Sequence, residues 1–210
     1  NIATLADAIG YDNRIGRRFL DAGLGFGGGC LSKDIRGFVT RATELGVGDS
    51  LNFLREIDDL NCRRRARIVD ITRDACGSLA GARVGILGAA FKPNTDDMRE
   101  APALVVIEEL VKRGAAVAAY DPVAMSEASR VLASTQGVSF CERAEHALAD
   151  SDALIIVTEW KEFRTPDFDR IKSDLKNPVV FDGRNLYEPD LMKTLGIEHH
   201  AIGRGHAAKL

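Results

Sequence analysis

From Asp49 to Cys76 the chain runs without a glycine or a proline. Both residues interrupt helices, the first by chain entropy and the second by its missing N–H. Phe53, Leu54, Ile57, Leu60, Ile68 and Ile71 fall at helical spacing within this run, which predicts one continuous helix. Asp49 offers an N-cap and Gly77 a C-terminal stop. At 1.5 Å per residue such a helix is about 40 Å long. An element of that length in a chain of 210 residues bridges two domains or pairs with a second subunit.

Beyond Gly81 the texture changes. Short runs at Arg83–Leu87, Ala116–Tyr120, Val138–Cys141, Ala153–Val157 and Val179–Asp182 predict strands, and Glu198–Ile202 reads as a tail strand. Between them, Ala101–Arg113, Ser126–Ser134, Glu142–Ala149, Asp167–Asp174 and Pro189–Leu195 read as helices. Strands that alternate with helices at this spacing predict an α/β fold with a Rossmann-like, doubly wound parallel sheet. Apolar runs without alternation fit strands covered on both faces. The boundary falls near Ser78–Ala82, giving a helical region 1–78 and a sheet domain 79–210.

Upstream of the long helix, Asn1–Ile9 has helical spacing, Ile15–Ala22 reads as a short helix with Phe19 and Leu20 turned inward, and Leu31–Ala42 reads as another helix. The chain opens inside a helical pattern with no initiator methionine, as expected for the C-terminal part of a longer protein.

Gly25-Phe26-Gly27-Gly28-Gly29-Cys30-Leu31-Ser32-Lys33-Asp34 carries the clearest chemistry. Glycine permits positive φ and lets another molecule approach the backbone. Cys30 stands where the next helix begins, an electropositive end that favours thiolate. Asp34, four residues on, shares its side of the helix. The pair reads as a nucleophile with a carboxylate placed to handle water; the plain alternative is a small buried thiol beside a turn.

The sheet domain carries the second set of candidates. Gly85-Ile86-Leu87-Gly88-Ala89-Ala90-Phe91 resembles a degraded dinucleotide fingerprint, with Phe91 in place of the third glycine. The following loop is long and charged, with Lys92, Asp96, Asp97 and Arg99, and belongs at the carboxyl edge of the sheet. Asp121 ends the second strand, where a ribose-binding acid would sit. Glu159-Trp160 and Asp182-Gly183-Arg184-Asn185 end later strands on that edge. Trp160 reads as core, and Arg184 as a fork for phosphate or carboxylate. His146, His199, His200 and His206 are scattered and read as structural or exposed. Arg63, Arg64, Arg65 and Arg67 read as a solvated helix side.

A net charge of −3 gives no global field for nucleic acid, and no apolar run is long enough to span a bilayer. Cys30, Cys62, Cys76 and Cys141 form no CxxC pair and no zinc spacing. Free thiols point to a reducing, cytoplasmic setting.

Three segments in order, Tyr11–Gly16 leading into Gly25–Asp34, then Gly88–Glu100, then Asp182–Asn185, resemble the UDP-glucose/GDP-mannose dehydrogenase family. The likeness runs through essentially the whole chain. It implies the last part of a central dimerisation region and a C-terminal Rossmann-like domain for the sugar nucleotide. The family's NAD-binding domain would lie upstream of Asn1, so the isolated chain is expected not to turn over. Lys92-Pro93-Asn94-Thr95 favours oxidation of UDP-glucose to UDP-glucuronate. GDP-mannose oxidation is the alternative within the family, and a non-catalytic nucleotide-sugar-binding module is the alternative outside it.

By the resemblance the sugar alcohol is oxidised twice with NAD, through a thiohemiacetal and a thioester on Cys30, and Asp34 handles the hydrolytic water. Phe26, Gly27, Gly28, Phe91, Lys92 and Arg184 would contact the sugar nucleotide. Arg14 would reach the site of a neighbouring subunit in a homodimer or larger homo-oligomer. Lys33 and Arg99 would lie toward the NAD. Two departures stand out: Ser32 where bacterial members commonly carry proline, and Gly29 where many carry serine.

Overall fold

The computed structural model describes residues 1–204, so the expectation for His206 lies outside the described residues. Helices α1 (Ile2–Gly10), α2 (Leu31–Glu44) and α3 (Asn52–Cys76) form the first part. Ile35, Val39 and Ala42 give α2 one buried stripe.

Two expectations fail here. Asp49 does not cap the long helix. The chain leaves α2 through a positive-φ Gly46, makes a 3-10 turn over Gly48–Leu51, and only then enters α3, with no side-chain cap. A short connection favours this tighter winding before the helix proper. Ile15–Ala22 is not helical, and Phe19 is fully exposed. Gly16 turns with φ +71°, and Arg17 then ties the segment to Asp7 and Asp21 at 2.7 Å each. Helical spacing over eight residues could not outweigh a positive-φ turn and those ion pairs.

The second part is a six-stranded sheet made of β1 (Arg83–Leu87), β2 (Ala116–Tyr120), β3 (Val138–Phe140), β4 (Ala153–Ile156), β5 (Val179–Asp182) and β6 (Glu198–Ala201). Their spatial order is β3-β2-β1-β4-β5-β6, and every pairing is parallel. This is the doubly wound arrangement expected, with its switch point between β1 and β4. Leu87 stands opposite both Tyr120 and Ile156, and Ile156 opposite Asp182. The carboxyl ends are therefore level, and the loops after β1, β4 and β5 leave from one edge.

The connecting helices are α4 (Pro102–Lys112), α5 (Met125–Val131), α6 (Ala144–Leu148), α7 (Phe168–Asp174) and α8 (Pro189–Leu195). One face of the sheet, with Ile86, Ile155 and Phe181, packs under Val106, Ile107 and Leu110 of α4 and under Ile68 and Val69 of α3. The other, with Leu154, Ile156 and Val180, packs under α6, α7 and α8. The C-terminal half of α3 thus shares the core of the sheet. Its N-terminal half leaves Phe53, Ile57 and Leu60 exposed. No helix among the described residues is long and apolar enough to cross a membrane.

The arginine cluster divides. Arg63, Arg64 and Arg67 are exposed as expected, but Arg65 is buried, because it lies on the same stripe of α3 as Ile68 and Thr72.

Candidate active site

Cys30 occupies the N-cap position of α2 and is exposed. The Asp34 N–H donates to the Cys30 carbonyl at 2.9 Å, so both residues belong to the first turn. The Asp34 carboxylate is exposed and lies 3.1 Å from the ammonium of Lys33. All four cysteines are free thiols. Burial pushes the thiols of Cys76 and Cys141 up, which leaves Cys30 and Cys62 as the accessible sulfurs.

The segment Gly23–Gly29 lies across the carboxyl edge of the sheet, and its glycines are filled by the chain itself. A methyl group on Gly23 would overlap the Arg184 guanidinium, and one on Gly27 would overlap the Glu100 carbonyl. On Gly28, at φ +87°, it would lie 2.9 Å from the ring of Phe91. On Gly29 it would lie 2.6 Å from the guanidinium carbon of Arg99. The Gly28 N–H donates to the Arg99 carbonyl at 2.9 Å. Glycine was expected here so that another molecule could approach the backbone. The close approaches present are intramolecular, and they lock the cysteine loop to the loop after β1.

Of the residues singled out in the sequence, Gly28 meets Phe91 and Gly29, next to Cys30, meets Arg99, while Arg184 meets Gly23 at the start of the same loop. Lys92 is exposed, with Nζ 5.1 Å from the centre of the Phe91 ring. Arg99 is pinned in a fork to Asp97, with bonds of 3.0 and 2.7 Å. This contact holds the Asp97 carboxyl below the usual carboxylate range. Cys30 adds a smaller pull on the Arg99 guanidinium, after Asp97. Arg184 is held by Glu159 at 2.6 Å, a close ion pair that lacks hydrogen-bond alignment. A cavity of about 130 Å³ opens beside Arg184, with Arg17, Arg164 and Arg204 also on its wall. Arg14 stands apart, exposed and bonded only to Asp12 within its own turn.

Asp121 does not present itself to a ribose. Its carboxylate is buried and accepts from the N–H groups of Ala89, Ala90, Val123 and Ala124 and from the indole of Trp160, at 2.8 to 3.1 Å. Five donors use up the acceptor sites of one carboxylate. The residue is a knot that ties the loop after β1 to β2 and to the segment after β4. Trp160 is buried as expected. No helix follows the Gly85–Gly88 stretch. Gly85 packs against the Ala147 carbonyl and Gly88, at φ +94°, against Thr158.

Three histidines lie among the described residues. His146 is exposed, His199 is buried 3.4 Å from Asp182, and His200 stacks on Phe181. A cavity of about 380 Å³ lies on the α6–α7 side, with Tyr120 and Phe163 in its wall. Burial and Glu162 push the Tyr120 hydroxyl up to about 12. None of its lining residues belongs to the cysteine loop.

Asn61 and Arg65 were not foreseen. Asn61 accepts from the Phe26 N–H at 2.8 Å and donates to the Phe26 carbonyl at 3.0 Å, and Arg65 donates to the same carbonyl. The available signal was their spacing, four apart and in line with Ile68 and Thr72, which sets two polar residues on an apolar stripe.

Family models match two parts of the chain. Residues 1–63 match the central domain, and residues 85–189 the UDP binding domain, of UDP-glucose/GDP-mannose dehydrogenases. The chain belongs to the UDP-glucose/GDP-mannose dehydrogenase family. It is 41% identical over 204 residues to UDP-glucose 6-dehydrogenase TuaD of Bacillus subtilis, covering 97% of this chain and 43% of the relative. It is 40% identical over 204 residues to UDP-glucose 6-dehydrogenase of Rhizobium meliloti, covering 97% and 46%. The structure of a UDP-glucose dehydrogenase from Pyrobaculum islandicum is similar, with TM-score 0.73 and 36% identity, over 86% of this chain and 39% of that one. The chain spans about half the length of the curated relatives it matches. Within the family, the cysteine loop belongs to the matched central domain and the Phe91–Arg99 loop to the UDP binding domain.

Proposed function

We propose that this chain supplies the nucleophile and the sugar-nucleotide site of an NAD-dependent UDP-glucose 6-dehydrogenase, with residues 1–78 and 79–210 as its two parts. The observation that carries this reading is the exposed Cys30 at the head of α2, on a loop packed against Phe91, Arg99 and Arg184. The names of the similar proteins support the choice of UDP-glucose.

Phe91, Lys92 and Arg184 line the edge that receives the sugar nucleotide, with cationic groups for its phosphates. Lys33 and Arg99, exposed cations beside Cys30, suit the phosphates of a dinucleotide. NAD, when bound, accepts the hydride of each oxidation. The Cys30 sulfur adds to the carbonyl carbon of the aldehyde; the C–S bond forms and the carbonyl oxygen takes a proton. Loss of hydride from that carbon and of the hydroxyl proton leaves a thioester. Asp34 takes a proton from water, whose oxygen attacks the thioester carbon. The C–S bond breaks, the thiol is restored, and the acid is released as UDP-glucuronate.

A homodimer fits the exposed residues Tyr11, Phe19, Phe53, Ile57 and Leu60, and the exposed Arg14, oriented by Asp12, would reach a neighbouring site. A cytoplasmic setting fits four free thiols.

Calorimetry on the protein carrying this chain, with UDP-glucose and GDP-mannose in turn, tests the substrate. UDP-glucose is expected to bind at least about tenfold tighter, and to protect Cys30 from iodoacetamide. Tighter binding of GDP-mannose moves the reading to that branch. A Cys30 that iodoacetamide never labels supports a non-catalytic binding module instead.

A further inference from the structure

We propose that Asn61 and Arg65 are positioning residues: they clamp the main chain before Cys30 onto α3 and thereby set where the sulfur stands. Both side chains are buried, on the face of α3 that otherwise packs Ile68, Val69 and Thr72. Between them they hold both polar groups of one peptide residue, Phe26, with three hydrogen bonds. Gly25 has φ +120°, and a methyl group on it would overlap the Asn61 amide. Nothing larger than glycine lets the loop seat on Asn61.

The clamp continues on the other side of the cysteine. The Arg65 guanidinium lies 3.6 Å from the Glu100 carboxylate. Glu100 also pairs with Arg36 of α2 at 3.0 Å, and Arg36 pairs with Asp58 of α3 at 2.8 Å. Asp58 and Glu100 together hold the Arg36 guanidinium well above its usual range. Cys30 therefore sits between two anchors, Phe26 four residues before it and Arg36 six residues after it, both tied to α3. Glu100 is the residue next to Arg99, so one buried cation joins the cysteine loop to the loop after β1.

A buried guanidinium is a costly way to fill space, and apolar residues of similar volume often stabilise more. What a pair of directed donors and an acceptor add is orientation of one peptide group. Misplacing a reacting atom by about 1 Å can cost about a hundredfold in rate.

The consequence for turnover rests on the dehydrogenase reading above, whereas the clamp itself is read from thiol labelling alone. Arg65→Met and Asn61→Ala are made in the protein carrying this chain, with circular dichroism and thermal melting as fold controls. Iodoacetamide labelling is followed by peptide mass spectrometry, with Cys62, exposed on the same helix, as internal reference. Loosening the loop takes Cys30 out of its fixed surroundings, so the Cys30-to-Cys62 labelling ratio is expected to change at least about threefold. With UDP-glucose and NAD, kcat is expected to fall at least about thirtyfold while KM stays within about threefold. Arg65→Lys keeps a cation for Glu100 and a donor for Phe26, and is expected to recover at least about a tenth of the parent kcat. If Arg65→Met does not fold, Arg65→Lys and Asn61→Ser decide by the same labelling ratio. A ratio unchanged in folded variants at both positions overturns the clamp. If the parent makes no NADH from UDP-glucose, the dehydrogenase reading fails, and the labelling ratio still decides the clamp.

Discussion

The carbonyl of Glu100 fills the space where a side chain on Gly27 would begin, with the Pro102 ring 3.0 Å from that point. The neighbour two residues on, Gly29, meets only the far end of Arg99. The two glycines therefore differ in what a methyl group would displace. Gly27→Ala must move backbone and is expected to cost about 2–3 kcal/mol. Gly29→Ala needs only a swing of an exposed side chain and is expected to cost less than about 1 kcal/mol. Urea unfolding of the two variants beside the parent checks this, and equal losses would contradict it.

Asp121 presents acceptors to five donors. An asparagine in its place would turn an amide N–H toward other N–H groups and leave buried donors without a partner. Asp121→Asn is expected to lose about 3 kcal/mol. Trp160 is the only tryptophan in the chain and bonds directly to this carboxylate. Its fluorescence emission is expected to shift in the folded variant as well as on unfolding.

Ser32 is buried in the first turn of α2, and its hydroxyl has no hydrogen-bond partner among the described residues. Ser32→Ala removes a polar group that burial strips of water, and alanine favours the helix. A gain of about 1 kcal/mol is expected, measured as a higher urea midpoint. A loss would show that the hydroxyl has a partner in solution.

The Asp97 carboxyl is depressed chiefly by its hydrogen bond to Arg99. A carboxyl whose folded pKa lies below its unfolded value adds stability that is present above the unfolded value and is lost as pH falls through the folded one. The Arg99–Asp97 latch is therefore intact at neutral pH and opens only as pH falls through the depressed Asp97 value, below that of free aspartate. Carbon-detected NMR of the Asp97 carboxyl is expected to give a midpoint below that of free aspartate, and Arg99→Met is expected to raise it.

The sheet was legible because its central strands are short apolar runs that end at a turn. Arg83–Leu87, Ala116–Tyr120 and Val179–Asp182 fall where the pattern put them, and so does the helix Pro189–Leu195, which proline opens and Gly196 closes. Cys30 at the head of α2 followed from glycine before it and helical spacing after it. What local pattern missed is held by distant partners. Phe26 meets Asn61 and Arg65, 35 and 39 positions away. Asp121 meets Ala89 and Trp160, 32 and 39 positions away. The glycines of the cysteine loop were legible as a constraint, but what fills the space beside them is set by tertiary packing with the loop after β1.

The role of Cys30 is tested most directly by trapping it. In the protein carrying this chain, Asp34→Asn is expected to slow hydrolysis, so that turnover with UDP-glucose and NAD stalls at the acyl stage. Mass spectrometry of the acid-quenched protein is then expected to find the UDP-glucuronyl group on the Cys30 peptide, and no such adduct in Cys30→Ala. An unmodified Cys30 during turnover, or full conversion to the acid by Cys30→Ala, would contradict a sulfur-bound intermediate.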